Sequence, residues 1–108
     1  LPIFPILILL IAIGAMLALV AVTVINHWWK ISAHLTGIGG LLGGICSFAL
    51  YYGYLPITLI IITLMWALIL MYARLYLKAH TPTQVVAGWL LGLCCTLIPN
   101  IIIYYAIL

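Results

Sequence analysis

The basic side chains of this chain are confined to two short stretches. Residues 73–92 (ARLYLKAHTPTQVVAGWLLG) hold Arg74, Lys78 and His80, and residues 26–34 (NHWWKISAH) hold His27, Lys30 and His34. Together they contain all three Lys/Arg and all three His of a protein that has no Asp or Glu. An arginine offers a planar fork of donors that matches phosphate oxygens. A histidine titrates near neutrality and can act as nucleophile, acid or base. Ionisable groups at membrane depth are costly and mark a site by default. A basic cluster with no carboxylate to neutralise it reads as a site for an anion carried by a ligand, and a lipid phosphate is the obvious candidate.

The rest of the chain has to position these residues inside hydrocarbon. Of 108 residues, 70% are hydrophobic and 3% charged, whereas a soluble globular domain carries about 25% charged residues. The composition excludes a disordered segment as well. In lipid only helices or closed barrels satisfy the backbone. A barrel would alternate polar and apolar positions, and the apolar runs here are continuous. The expected fold class is therefore all-α: an integral membrane bundle of about four transmembrane helices in a single domain, residues 1–108. A formal charge of +3 is too small to argue for nucleic acid. Cys46, Cys94 and Cys95 are expected to be small buried hydrophobes rather than disulfide or metal partners. The chain opens on Leu1 rather than Met, so N-terminal residues, helices among them, are expected to be missing; the first apolar run is too long and lacks the basic region of a signal peptide.

Helix one is expected from Pro2 to Ile25, with Pro2 and Pro5 in the first turns where a missing N–H costs little. Asn26 to Lys30 form an interfacial stretch, with paired Trp beside Lys. Helix two is expected from Ser32 to Tyr52. Its Gly39/Gly43 and Gly40/Gly44 pairs are small-x3-small spacings that let another helix approach. Helix three is expected from Pro56 to Leu77, and helix four from Thr81-Pro82 to the end, kinked or leaving the membrane at Pro99-Asn100. Short connections make sequence neighbours antiparallel. The one–two and three–four connections then lie on the same side, which gathers every basic residue onto one membrane face.

Two motifs carry a resemblance. Arg74, five residues, His80, three residues and Gln84 resemble Ser-Arg-x5-His-x3-Asp, the third motif of the type 2 phosphatidic acid phosphatase (PAP2) family. Ile31-Ser32-Ala33-His34 resembles the second motif, Pro-Ser-Gly-His. The resemblance covers roughly the last three quarters of the chain and implies a PAP2-like fold. It implies that His80 attacks phosphorus to form a phosphohistidine, and that His34 protonates the leaving oxygen. Arg74, Ser32 and Lys30 would bind the phosphate, and neither metal nor cofactor is required. Ala73, Ala33 and Gln84 depart from the family's Ser, Gly and Asp, and the first motif, Lys-x6-Arg-Pro, is absent. Gln84 could orient His80 but supplies no charge. In another triad the loss of that charge costs on the order of 10⁴ in rate.

Thr81-Pro82-Thr83-Gln84 also reads as a capping box, with Thr at the N-cap and Gln at the third helical position. Two functions follow. One is a phosphatase for phosphatidate or a polyprenyl phosphate. The other is a catalytically impaired relative that binds an anionic lipid or serves as an accessory subunit beside other membrane proteins. The resemblance implies a bacterial inner membrane with the site on its outer side, while the bias of basic residues points to the cytoplasm.

Overall fold

A computed structural model describes residues 3–78 and 80–106. Four helices follow in order: α1 (Ile3–Ile25), α2 (Ala33–Tyr52), α3 (Ile57–Tyr76) and α4 (Pro82–Ala106). All four are long and apolar enough to cross a membrane, and the all-α membrane bundle expected from composition is what the chain forms. The boundaries fall within a residue or so of those expected. Pro2 lies outside the described residues. Ser32 is the N-cap of α2 rather than its first residue, and Leu77 is the C-cap of α3. Gly53 closes α2 at φ 65, where its N–H donates to the Ala49 carbonyl. A left-handed C-terminal residue is the usual role of glycine at a helix end.

The bundle is a flat slab of 46 × 31 × 17 Å. Helices α2 and α4 share the largest interface and form the spine; α1 lies mainly against α4, and α3 mainly against α2. The spine is close because both helices present glycine. A side chain at Gly39 would strike the Trp89 backbone, one at Gly43 the Thr96 hydroxyl and Leu93 carbonyl, one at Gly88 the Ser32 carbonyl, and one at Gly92 the Thr36 carbonyl. Gly39/Gly43 is thus matched by Gly88/Gly92, a second small-x3-small pair on α4.

Polarity is inverted relative to a soluble bundle. Ser32, Thr36, Ser47, Thr63, Thr96 and Asn100 are buried, while most of the large aliphatic side chains of α1 and α3 face outward, into lipid. The buried hydroxyls link the spine: Thr96 donates to the Gly40 carbonyl (3.0 Å), Ser47 reaches the Thr96 carbonyl (3.4 Å), and Tyr51 donates to the Asn100 carbonyl (3.3 Å). The three thiols are free, and none is fully buried as expected: Cys94 is exposed, and Cys46 and Cys95 are half-buried.

Helix α4 runs through Pro99 and continues to Ala106, as expected for the last span. Proline has no N–H, so the Cys95 carbonyl one turn back loses its helical donor. Gly14 of α1 lies directly against that carbonyl, covering it with a Cα–H group, a weak donor but one suited to a helix contact in lipid. The Asn100 amide meanwhile donates to the Thr96 carbonyl at 2.8 Å. The Gly14 contact lets the helix pass through the proline inside hydrocarbon, where an uncovered carbonyl would be costly.

Candidate functional site

The connection between α1 and α2 is a series of tight turns. Asn26, His27, Trp28 and Trp29 each donate a backbone N–H to a carbonyl of the last turn of α1. The Asn26 side chain then reaches forward: its Oδ1 accepts from the Ile31 N–H at 3.0 Å. Asparagine favours such local bonds to its own backbone. The same Ile31 N–H is shared with the Trp29 carbonyl at 2.9 Å, and the two bonds together fix the stretch that carries Lys30.

Ser32 follows at the N-cap of α2. Its Oγ accepts from the Leu35 N–H at 3.3 Å, and its carbonyl accepts from the Thr36 N–H and hydroxyl. Ser32 is fully buried under Gly88 of α4. His34, in the first turn of α2, is exposed, as are Lys30 and His27. Trp28 and Trp29 are exposed beside them, as interfacial aromatics are.

The connection between α3 and α4 starts from Arg74 in the last turn of α3, where a cation complements the negative end of the helix dipole. Lys78 turns the chain with φ 55, a left-handed value that a lysine adopts at some cost. Thr81 and Gln84 then form a reciprocal cap on α4. The Thr81 N–H donates to Gln84 Oε1 at 2.9 Å, and the Gln84 N–H donates to Thr81 Oγ1 at 3.3 Å. The capping box expected from Thr-Pro-Thr-Gln is present.

The two connections meet. His80 Nδ1 lies 3.2 Å from the Lys30 backbone carbonyl. A carbonyl can only accept, so the contact requires the proton on Nδ1 and leaves the Nε2 lone pair free in the neutral ring. Gln84 Oε1 is engaged at its own helix cap, and the ring nitrogen is held by main chain from the other stretch. Arg74 is half-buried; its Nε is buried and has no hydrogen-bond partner among the described residues. A buried donor without a partner costs about 1–3 kcal/mol, more when charged.

Three participants are not visible in the sequence reading. They are the Lys30 carbonyl, Asn26 as the brace behind it, and Gly88, which seats Ser32 against α4. Asn26 carried a weak signal, since an Asn just past an apolar helix run is a turn former. Its target five residues on becomes apparent only in three dimensions. Asn26→Ala should therefore loosen the connection at a cost of about 1 kcal/mol, as for a lost cap. Faster hydrogen exchange at Ile31 relative to Leu35 is the check.

Comparison with curated proteins and with solved structures finds no match for this chain. The PAP2 superfamily matches residues 11–107, taking in most of α1 as well as the two motif-bearing connections. With four membrane-length helices and the Arg74–His80 spacing on the α3–α4 connection, this protein is an integral membrane protein that belongs to the PAP2 superfamily.

Proposed function

We propose that this protein holds the phosphate of an anionic lipid at the basic end of its bundle and turns it over slowly or not at all. In this reading Arg74 is the principal phosphate ligand, with His80, His34 and Lys30 around it and Ser32 supporting the start of α2. The observation that carries it is the buried Nε of Arg74, without a partner among the described residues, in a chain that has no Asp or Glu. A phosphate oxygen would satisfy that donor, and its charge would be matched by the fork of the guanidinium.

Impaired turnover rests on Gln84. A phosphohistidine route needs His80 Nε2 to attack phosphorus while the imidazolium that forms is stabilised, and His34 to protonate the departing oxygen. A carboxylate at residue 84 would supply that stabilisation. A neutral amide whose oxygen accepts from the Thr81 N–H does not. The Lys30 carbonyl orients the ring but adds no full charge.

The test is phosphate release from phosphatidate vesicles by wild type, Gln84→Asp and His80→Ala, all in the same bilayer. Wild type is expected at or near the background set by His80→Ala, with Gln84→Asp the one variant able to rise above it. Release by wild type well above His80→Ala, and not raised by Gln84→Asp, would establish a phosphatase and overturn the impaired reading.

A further inference from the structure

Helices α1 and α2 flank a cleft that lies over α4. Its first section, about 410 Å³, lies between Ala15 and Ala18 of α1 and Ala33, Gly37 and Leu41 of α2, with Thr96 of α4 as its floor. Through Ile11, Gly40 and Leu41 it continues into a second section of about 330 Å³ that ends at Pro56 and Leu59.

Two features bear on what this cleft can hold. The first is Gly37. The spine glycines are required by contact, but a side chain at Gly37 would meet nothing within 4 Å. A glycine inside a helix costs about 1 kcal/mol relative to alanine, and no contact within the chain compensates for it here. The second is the wall. Thr36 and Thr96 line the cleft, yet their hydroxyls are spent on the Ser32 and Gly40 carbonyls, which leaves the lining hydrocarbon-like.

The charge lies at one end only. The cleft begins at Ala33, the first residue of α2, between exposed Lys30 and exposed His34. From Ala33 to Leu41 is eight helical steps, about 12 Å of rise. That is close to one leaflet of a hydrocarbon core about 30 Å thick.

We infer that the first section of this cleft seats one hydrocarbon chain of the same phosphate-bearing lipid whose headgroup is held at the basic end. The inference rests on the headgroup reading above and adds the place of the tail. The lipid enters laterally between α1 and α2 from the leaflet on the basic side. Its phosphate meets the cations at the mouth, and its chain lies over Gly37.

The experiment uses the full chain in phosphatidylcholine vesicles containing a small fraction of phosphatidate with a photoactivatable diazirine on one acyl chain. The control carries the same label on phosphatidylcholine. Adducts are mapped by peptide mass spectrometry. Headgroup binding is read separately, as protection of His34 and His80 from diethyl pyrocarbonate by unlabelled phosphatidate.

Adducts of the phosphatidate label are expected to concentrate on the cleft segments of α1 and α2. Gly37→Leu should reduce them about tenfold, because the new side chain displaces roughly two methylenes' worth of contact. Ala15→Leu, at an exposed residue on the opposite wall, should act alike and serves if Gly37→Leu does not fold. Adducts spread equally over α3, or unchanged in both variants, would overturn the tail site while histidine protection stands. Loss of histidine protection, with no preference for phosphatidate over phosphatidylcholine, would overturn the headgroup reading and the tail site with it.

Discussion

Gly92→Leu is expected to destabilise the bundle by about 3 kcal/mol or more, the upper end of what overpacking costs. A side chain at Gly92 would meet the Thr36 carbonyl and come within 2.8 Å of the Gly40 nitrogen. Both are backbone atoms of α2, so no rotamer change relieves the clash, and the two spine helices must separate. Separation also breaks the bond from Thr96 to the Gly40 carbonyl and the contact of Ser47 with Thr96. Such interhelical bonds in membranes average about 0.6 kcal/mol each, so close approach of the backbones carries more of the effect. Gly37→Leu is the matched control. Its surroundings are open, and leucine is the better helix former, so its stability should equal or exceed that of wild type. Unfolding in mixed detergent micelles distinguishes the two. A Gly92→Leu protein as stable as wild type would mean that α2 and α4 do not cross at their glycines.

Arg74→Ala should lower the preference for phosphatidate over phosphatidylcholine vesicles by roughly ten- to a hundredfold. Hydrogen bonds to charged groups contribute about 1.5–3 kcal/mol, and each 1.4 kcal/mol is tenfold in affinity. Arg74→Lys should recover only part of the preference, since an ammonium is a point charge without the planar fork. Lys78→Ala should matter much less: Lys78 is exposed, and exposed charges are screened by water and salt. Raising the salt concentration should weaken Lys78's contribution more than Arg74's. Flotation of the reconstituted protein against labelled lipid measures all four conditions. Equal binding by wild type and Arg74→Ala would remove Arg74 from the site, and with it the meaning given to its buried Nε.

Much of this architecture was determined by local pattern. The four apolar runs require helices, because a bilayer offers no other way to satisfy that many backbone groups. Thr81-Pro82-Thr83-Gln84 requires a helix start, because each of its side-chain and backbone partners lies within three residues. The gathering of both basic stretches at one end follows from short connections and an even count of spans.

What the tertiary structure decided is whatever depends on a partner far along the chain. Gly39, Gly40, Gly43 and Gly44 are alike in the sequence, yet only Gly39 and Gly43 are pressed against α4 backbone, while Gly40 and Gly44 border the cleft. Which glycine is needed depends on where α4 lies, and Gly88 and Gly92 are inconspicuous in an otherwise uniform apolar run. Lys30 shows the same division. The sequence displays its charge, but the atom that meets His80 is its backbone carbonyl, a group every residue carries and only folding can aim. Where no Lys, Arg or His lies outside two short stretches and apolar residues dominate, composition determines that helices span the membrane. The contact of backbone with backbone then determines which faces meet, because lipid solvates an apolar side chain as well as another helix does.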